Sequence, residues 1–140
     1  MANTIQVDIV SAEGEIFSGP ARMVFLPASQ GEIGVSARHA PLLSLLKPGE
    51  VRVQPEEGDE QHFYVGGGAL EVQPHRVTVL ADTAARAKDL DEHKALEARA
   101  RAEEALAGNL DKISQAEALA ELARAAAQLK MIERLRKVRG

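Results

Sequence analysis

All six prolines of this 140-residue chain lie before residue 85, together with all four aromatic residues and nine of the eleven glycines. Beyond residue 84, alanine supplies 15 of 56 positions. Proline breaks helices and glycine weakens them, whereas alanine propagates them best. Two vocabularies kept so far apart predict two architectures, residues 1–84 and residues 85–140, with the change between Asp82 and Lys88. The expected fold class is mixed β and α: an N-terminal antiparallel β-sandwich followed by a C-terminal antiparallel two-helix hairpin.

In the first block, Ile5-Gln6-Val7-Asp8-Ile9-Val10 alternates apolar and polar side chains, so one face can be buried and the other wetted. Short runs of similar kind occur at 23–26, 51–53, 62–65, 70–72 and 77–80. Turn-forming clusters separate them: Glu13-Gly14, Ser18-Gly19-Pro20, Lys47-Pro48-Gly49, Glu57-Gly58-Asp59 and Gln73-Pro74-His75. Short strands at even spacing predict a small sandwich or flattened barrel, and the lack of a helical period disfavours a doubly wound α/β fold. Gly66-Gly67-Gly68 lacks the lysine and hydroxyl of a phosphate loop, and no helix follows it. A β-bulge, or the close approach of a neighbouring backbone, is the expectation there.

The second block reads as two helices. Asp89-Leu90-Asp91-Glu92 offers a capping acid and another acid three residues on. The run continues unbroken to Gly108-Asn109, a stop signal because both residues accept the left-handed conformation. Ser114-Gln115-Ala116-Glu117 reads as a second capping box, and Leu119, Leu122, Ala126, Leu129, Ile132 and Leu135 then recur every three or four residues as one apolar stripe. A loop of about five residues makes the helices antiparallel neighbours. The first helix offers its partner mainly Ala95, Ala98, Ala102 and Ala105. At roughly 25 cal/mol per Å² of apolar surface, alanines in place of leucines remove much of the packing. The expectation is a hairpin that is helical by propensity yet loosely docked, able to keep its helices while changing partners.

The formal net charge is −4, unevenly spread: residues 1–84 carry 5 basic against 11 acidic side chains, and residues 85–140 carry 12 against 10. An acidic chain with 3% aromatic residues and no tryptophan favours neither phosphate-backbone binding nor base stacking, so no nucleic-acid partner is expected. The lack of cysteine excludes disulfides and thiolate metal sites, and the four histidines are scattered without ligand spacing, so no metal is expected. No apolar run approaches the roughly 20 residues that span a bilayer. Residues 1–10 lack the basic region and apolar stretch of a signal peptide. The chain is therefore expected neither to be exported by that route nor to enter a membrane by itself. There is no nucleophile elbow, no pair of catalytic carboxylates in a glycine-framed site and no cofactor fingerprint, so no catalytic residue is assigned and the chain is not expected to be an enzyme. A free-standing binding module with a dimerising hairpin and a subunit of a larger assembly both fit these observations.

Three blocks are more specific. They are Ile9-Val10-Ser11-Ala12-Glu13-Gly14-Glu15-Ile16-Phe17-Ser18-Gly19; Gly31-Glu32-Ile33-Gly34 followed by His39-Ala40-Pro41-Leu42-Leu43; and Gly66-Gly67-Gly68-Ala69-Leu70-Glu71-Val72 followed by Val77-Thr78-Val79-Leu80-Ala81-Asp82-Thr83-Ala84. In order and spacing, over nearly the whole chain, they resemble the epsilon subunits of bacterial F-type ATP synthases. That resemblance implies a β-sandwich over about residues 1–84 that binds the gamma subunit and sits on the ring of c subunits. It implies a hairpin that folds beside the sandwich or extends along gamma toward the catalytic alpha and beta subunits, restraining ATP hydrolysis when extended. The chain would be a non-catalytic rotor, or central stalk, subunit that couples proton flow to ATP synthesis. It would be peripheral at the cytoplasmic face of the bacterial plasma membrane and touch the membrane only through the complex.

The resemblance also implies sites. Gly31, Glu32, Ile33, Gly34, His39, Ala40, Pro41 and Leu42 match the family's c-ring face, where the Glu32 carboxylate would meet a basic loop. Read alone, these residues are a hairpin turn with an exposed acid and a proline-limited strand start, and His39 is equally a surface or half-buried imidazole. Leu90, Asp91, Lys94 and Ala95 resemble a nucleotide-sensing motif, with Arg101 and Arg124 at further arginine positions. Lys94 stands where the family has arginine and Gln128 replaces another; lysine lacks the planar fork, so weak regulatory ATP binding or none is expected, and no other cofactor. Read alone, the group is a helix cap with solvated bases. Lys130, Arg134, Arg136, Lys137 and Arg139 suit the family's contact with an acidic segment of beta. They equally favour a helix C-terminus through its dipole.

Overall fold

Eight strands occupy the first block: β1 (Ile5–Ser11), β2 (Gly14–Ala21), β3 (Met23–Ala28), β4 (Gly31–Val35), β5 (Leu42–Gln54), β6 (Gln61–Gln73), β7 (Arg76–Ala81) and β8 (Ala84–Arg86). The structure is a computed structural model that describes residues 3–139, the side chain of Arg139 excepted. The alternation at the start of the chain takes effect directly: Ile5, Val7 and Ile9 are fully buried, and Gln6 and Asp8 face the other way. The strands lie in the order β2-β1-β7-β6-β5-β3-β4, with β8 as a further partner of β6. Every pair is antiparallel except β1 with β7, which run parallel. Only strands distant in sequence can pair that way, because a parallel pair needs a long connection.

Two of the clusters that read as turns lie inside strands. Ser18-Gly19-Pro20 belongs to β2, at the end of the sheet, where a missing N–H is tolerated. Lys47-Pro48-Gly49 lies in the middle of β5. Pro48 pairs with Gly66 on one side, and on the other the β3–β5 register is interrupted between Phe25 and Ala28. The absent Pro48 donor thus faces a gap in the ladder. The result is one 13-residue strand beside another, β5 against β6, paired along nearly their whole length.

The far edge of β6 changes partner part-way. Residues 63–65 pair with β8, and residues 68–73 pair with β7. The change falls at Gly67 (φ 101°) and Gly68 (φ 136°), both in the region that disfavours any side chain. A Cβ at Gly68 would collide with the Leu80 carbonyl oxygen and stand 2.9 Å from Ala81 Cα. The glycine run is therefore a close backbone approach, one of the two outcomes that its lack of phosphate-loop chemistry predicts. Gly66 N–H donates to Thr83 O (2.8 Å) and Asp82 N–H to Gly67 O (2.9 Å), which carries the chain from β7 into β8. For this reason the sheet continues beyond residue 84, and the first unit extends to Ala87.

One apolar cluster fills the inside of this curled sheet, with Ile9, Leu26, Phe63 and Leu70 among its largest members. Phe17 and Phe63 meet at 5.3 Å between ring centroids, and Arg86 Nη2 donates to Ile16 O at 2.8 Å. These contacts bring β2, the other end of the sheet, onto the β6–β8 edge and complete the sandwich.

A 3-10 turn over Ala87–Asp89 leads into the second unit, α1 (Glu92–Ala107) and α2 (Lys112–Arg139). Both caps differ from the residues the sequence favours. Asp91, not Asp89, caps α1 and accepts from Lys94 N at 3.2 Å. Asp111, not Ser114, accepts from Ser114 N at 2.7 Å; hydrogen bonds from Ser114 hold its carboxyl below the ordinary value. Gly108 closes α1 in an extended conformation (φ −88°) instead of the left-handed one. The seam between the helices is built on alanine, with Ala95 and Ala102 buried on α1 and Ala118, Ala125 and Met131 on α2. Leu122, Leu129 and Ile132 are half-buried beside it, while Leu119 is 51% exposed and Ala126 is exposed. The apolar stripe is thus centred on small residues seven apart, which let two backbones approach closely, and the leucines flank it.

Asp8 ties three neighbouring strands together on the outer face. It accepts from Ser18 Oγ (2.6 Å) and Gln6 Nε2 (3.0 Å) and pairs with Arg76. The Ser18 hydroxyl above all, with Gln6 and Arg76, holds its carboxyl below the ordinary carboxylate value against an upward push from burial. A carboxyl lowered by folding stabilises the native state above its unfolded pKa, and that contribution is lost as pH falls through the folded pKa. Urea unfolding should therefore show stability declining as pH drops below about 4, and Asp8→Asn should flatten part of that decline while lowering stability near neutrality. An unchanged pH profile in the variant would contradict this role.

Candidate interaction sites

The residues assigned from sequence to a ring-facing site fall on two separate segments. Gly31, Glu32, Ile33 and Gly34 lie on β4, which among the described residues pairs with β3 alone and ends the sheet. Gly31 opens the strand at φ 132°, Ile33 packs against the core, and Glu32 points outward with 56% of its side chain exposed. Its carboxylate is not solitary: Arg52 Nη2 donates to Oε1 at 3.3 Å. His39, Ala40 and Pro41 precede β5, and Leu42 is its first residue. The turn before them is held by Arg38 (φ 67°), whose N–H donates to Pro74 O at 2.7 Å and whose Nη2 donates to Asn3 Oδ1 at 2.6 Å. His39 is half-buried, and its Nδ1 donates to Ala40 O at 2.7 Å. Among the described residues, no strand pairing or hydrogen bond joins β4 to residues 39–42. The link is indirect, through the β3–β4 turn, where Ser29 N–H donates to Leu45 O at 2.9 Å.

Sequence reading missed a row of apolar side chains on the outer face. The pairing registers set Leu45, Ala69, Leu80 and Val10 side by side across β5, β6, β7 and β1, with Leu43 on the same face one step along β5. Leu43, Leu45 and Leu80 are 76%, 68% and 56% exposed. Leu43 and Leu45 alternate with half-buried Ser44 and buried Leu46, a signal available in the sequence, but only the register reveals that Leu80 joins them.

In the hairpin, several candidate residues hold structural places. Leu90 is half-buried, Asp91 is the cap, and Ala95 is in the seam. Lys94 gives its backbone N–H to the cap and leaves its side chain exposed. Arg101 pairs across the helices with Glu121 at 3.3 Å, three residues from the half-buried Arg124. No described contact brings Lys94 to Arg101 or Arg124. Of the basic residues near the end, Arg136 reaches Glu92 at 2.7 Å and Lys137 pairs with Glu133 at 3.4 Å. Lys130 is exposed, Arg134 is half-buried, and the Arg139 side chain lies outside the described residues. Among the described residues there is no group of three or more side chains placed to hold a metal, and no helix is long and apolar enough to cross a membrane.

Two family models match the chain in tandem. The ATP synthase delta/epsilon chain β-sandwich domain covers residues 4–87, and the delta/epsilon chain long α-helix domain covers residues 88–133. The ATP synthase epsilon chain of Nitrosococcus oceani is 62% identical over 140 residues, all of both chains. The chain belongs to the ATP synthase epsilon family. Its fold also matches a chain in the Euglena gracilis mitochondrial ATP synthase (OSCP/F1/c-ring, rotational state 1), with TM-score 0.71 and 20% identity over 100% of this chain and 84% of that one. A chain of the Tetrahymena thermophila mitochondrial ATP synthase central stalk and c-ring gives 0.69 at 12% identity, over 91% and 96%.

Within this epsilon family member, the two units are held by different forces. The sheet buries large side chains in one cluster, whereas the hairpin buries mainly alanines and adds exposed ion pairs, each worth about 0–1 kcal/mol. Native-state amide exchange should therefore find the protected amides of α1 and α2 exchanging at least about tenfold faster than those of β6 and β7. Equal protection would refute a weak hairpin.

Proposed function

We propose that this chain is the rotor subunit of a bacterial proton-translocating ATP synthase, attached through its sheet to gamma and the c-ring and regulatory through its hairpin. The observation that carries the attachment is the exposed Leu43–Leu45–Leu80 face, because contiguous apolar surface on a folded unit marks an interaction site. The similarity to epsilon chains along the full length supports the same reading, as do the c-ring and central-stalk assemblies that contain the matching folds. A sheet packed around one core transmits torque with little deformation, and residues 31–34 and 39–42 supply further polar and apolar contacts to the ring. The chain itself carries out no chemistry. It turns with its partners at the cytoplasmic face of the plasma membrane and reaches the bilayer only through them.

The hairpin supplies restraint of hydrolysis. Lys130, Arg134, Arg136, Lys137 and Arg139 would meet an acidic segment of beta when the hairpin extends toward alpha and beta, in an attraction weakened by salt. The Arg136–Glu92 and Lys137–Glu133 pairs must open first, and exposed pairs oppose this by only about 0–1 kcal/mol each. Regulatory ATP would bind weakly or not at all. Asp91 is already engaged as a cap, Arg101 as a partner of Glu121, and Lys94 lacks the arginine fork.

Two measurements test this reading. The full chain should co-purify with gamma, and Leu45→Asp combined with Leu80→Asp should abolish that while the free protein stays folded; a chain that never associates with gamma would be a free-standing module instead. Deleting residues 130–140 should raise ATP hydrolysis by the assembled complex without impairing assembly, and unchanged hydrolysis would remove the inhibitory role.

A further inference from the structure

Glu32 is held from a distance. Arg52 reaches it from β5 although β3 lies between their strands. The reach depends on a row set by pairing register, in which His62, Arg52, Phe25 and Gly34 stand side by side on β6, β5, β3 and β4. The Arg52 guanidinium carbon stands 4.2 Å from the centroid of the Phe25 ring, within the range where an aromatic face attracts a cation. The ring in turn occupies the space that a side chain at Gly34 would need. A Cβ there would stand 3.1 Å from Phe25 Cε1 and 2.8 Å from Met23 Cε. On its other side Arg52 Nη1 lies 3.7 Å from Glu60 Oε2, and that oxygen accepts from Gln54 Nε2 at 2.9 Å. The Arg52 side chain is thus 26% exposed, while Glu32 remains 56% exposed.

We propose that Arg52 is the positioning residue for Glu32. Fixed by the Phe25 face and by Glu60, it takes one carboxylate oxygen, Oε1, and turns the other toward a basic group on a partner. A carboxylate has lone pairs for several donors, so the Arg52 bond does not exhaust it. A preoriented acid also has less freedom left to lose on binding. Arginine suits this place because its planar fork lies on the ring while its two ends reach different acids; lysine keeps the charge and loses the planar fork. Gly34 makes room for the ring that carries Arg52, so its contribution to the site is space. The inference rests on the reading of Glu32 as a ring contact.

The test is the affinity with which the assembled soluble complex carrying this chain rebinds c-rings in membrane vesicles stripped of it, read from the half-saturating concentration. It compares Glu32→Gln, Arg52→Met, Arg52→Lys and the double variant Glu32→Gln/Arg52→Met. Glu32→Gln should lower the affinity by about threefold, as expected for the loss of one exposed charge pair. Arg52→Met should lower it equally, the double variant no further, and Arg52→Lys should restore part of the loss. Co-purification with gamma should not change in Arg52→Met. A loss in Glu32→Gln alone would show Arg52 to be idle and overturn the inference while leaving the ring contact standing. Additive losses would show that Arg52 acts elsewhere and would also overturn it. Undiminished affinity in Glu32→Gln would sink the ring contact and the inference with it.

Discussion

The close approach of β6 to β7 at Gly68 is the constraint on which the sheet depends. β6 serves β5 along one edge and two successive strands along the other, and the exchange between them happens where no side chain fits. If the exchange failed, β8 would lose its partner, Arg86 would not reach Ile16, and the edge carrying Phe63 would not meet Phe17. The same strand carries Ala69 in the exposed apolar row and His62 in the charged row. The surfaces read as functional are therefore aligned by the geometry that closes the core.

The sequence disclosed the parts governed by local rules. Alternation at residues 5–10 gave the inner face of β1, and the glycine run without phosphate-loop chemistry gave a close backbone approach. The alanines at 95 and 102 gave the hairpin seam. It misled wherever a distant partner decided the outcome. Pro48 reads as a turn residue, yet it sits in a long strand because a register interruption in β3 removes the demand for its N–H. Asp89 and Ser114 are as good caps by composition as Asp91 and Asp111, and the helix starts select between them. Leu119 heads a convincing apolar period and ends up exposed, because pairs of alanines seven residues apart took the seam. At the candidate ring site, Glu32 was visible as an exposed acid. Its partner Arg52, twenty residues on, was not, because only the β5–β3–β4 register brings them together.

The contrast between the two units gives the functional account its physical basis. A sheet built on valine, isoleucine, leucine and phenylalanine loses about 2–5 kcal/mol when one large core side chain is truncated, so it behaves as one rigid piece. An alanine seam supplemented by exposed ion pairs has no such cooperative hold, and salt or a competing partner can disturb it. The proposed role, firm attachment through the sheet and a hairpin that changes partners, is well served by this division.

The chain has no native cysteine, so any introduced one is unique. Single cysteines at Leu43, Leu45 and Leu80, and at Lys130 and Lys137, can be cross-linked in the assembled complex with and without ATP. The account predicts that the three leucine positions join gamma or the ring whatever the nucleotide, while the two lysine positions reach beta in only one nucleotide condition. Leucine positions that never cross-link, or lysine positions with one fixed partner in both conditions, would contradict it.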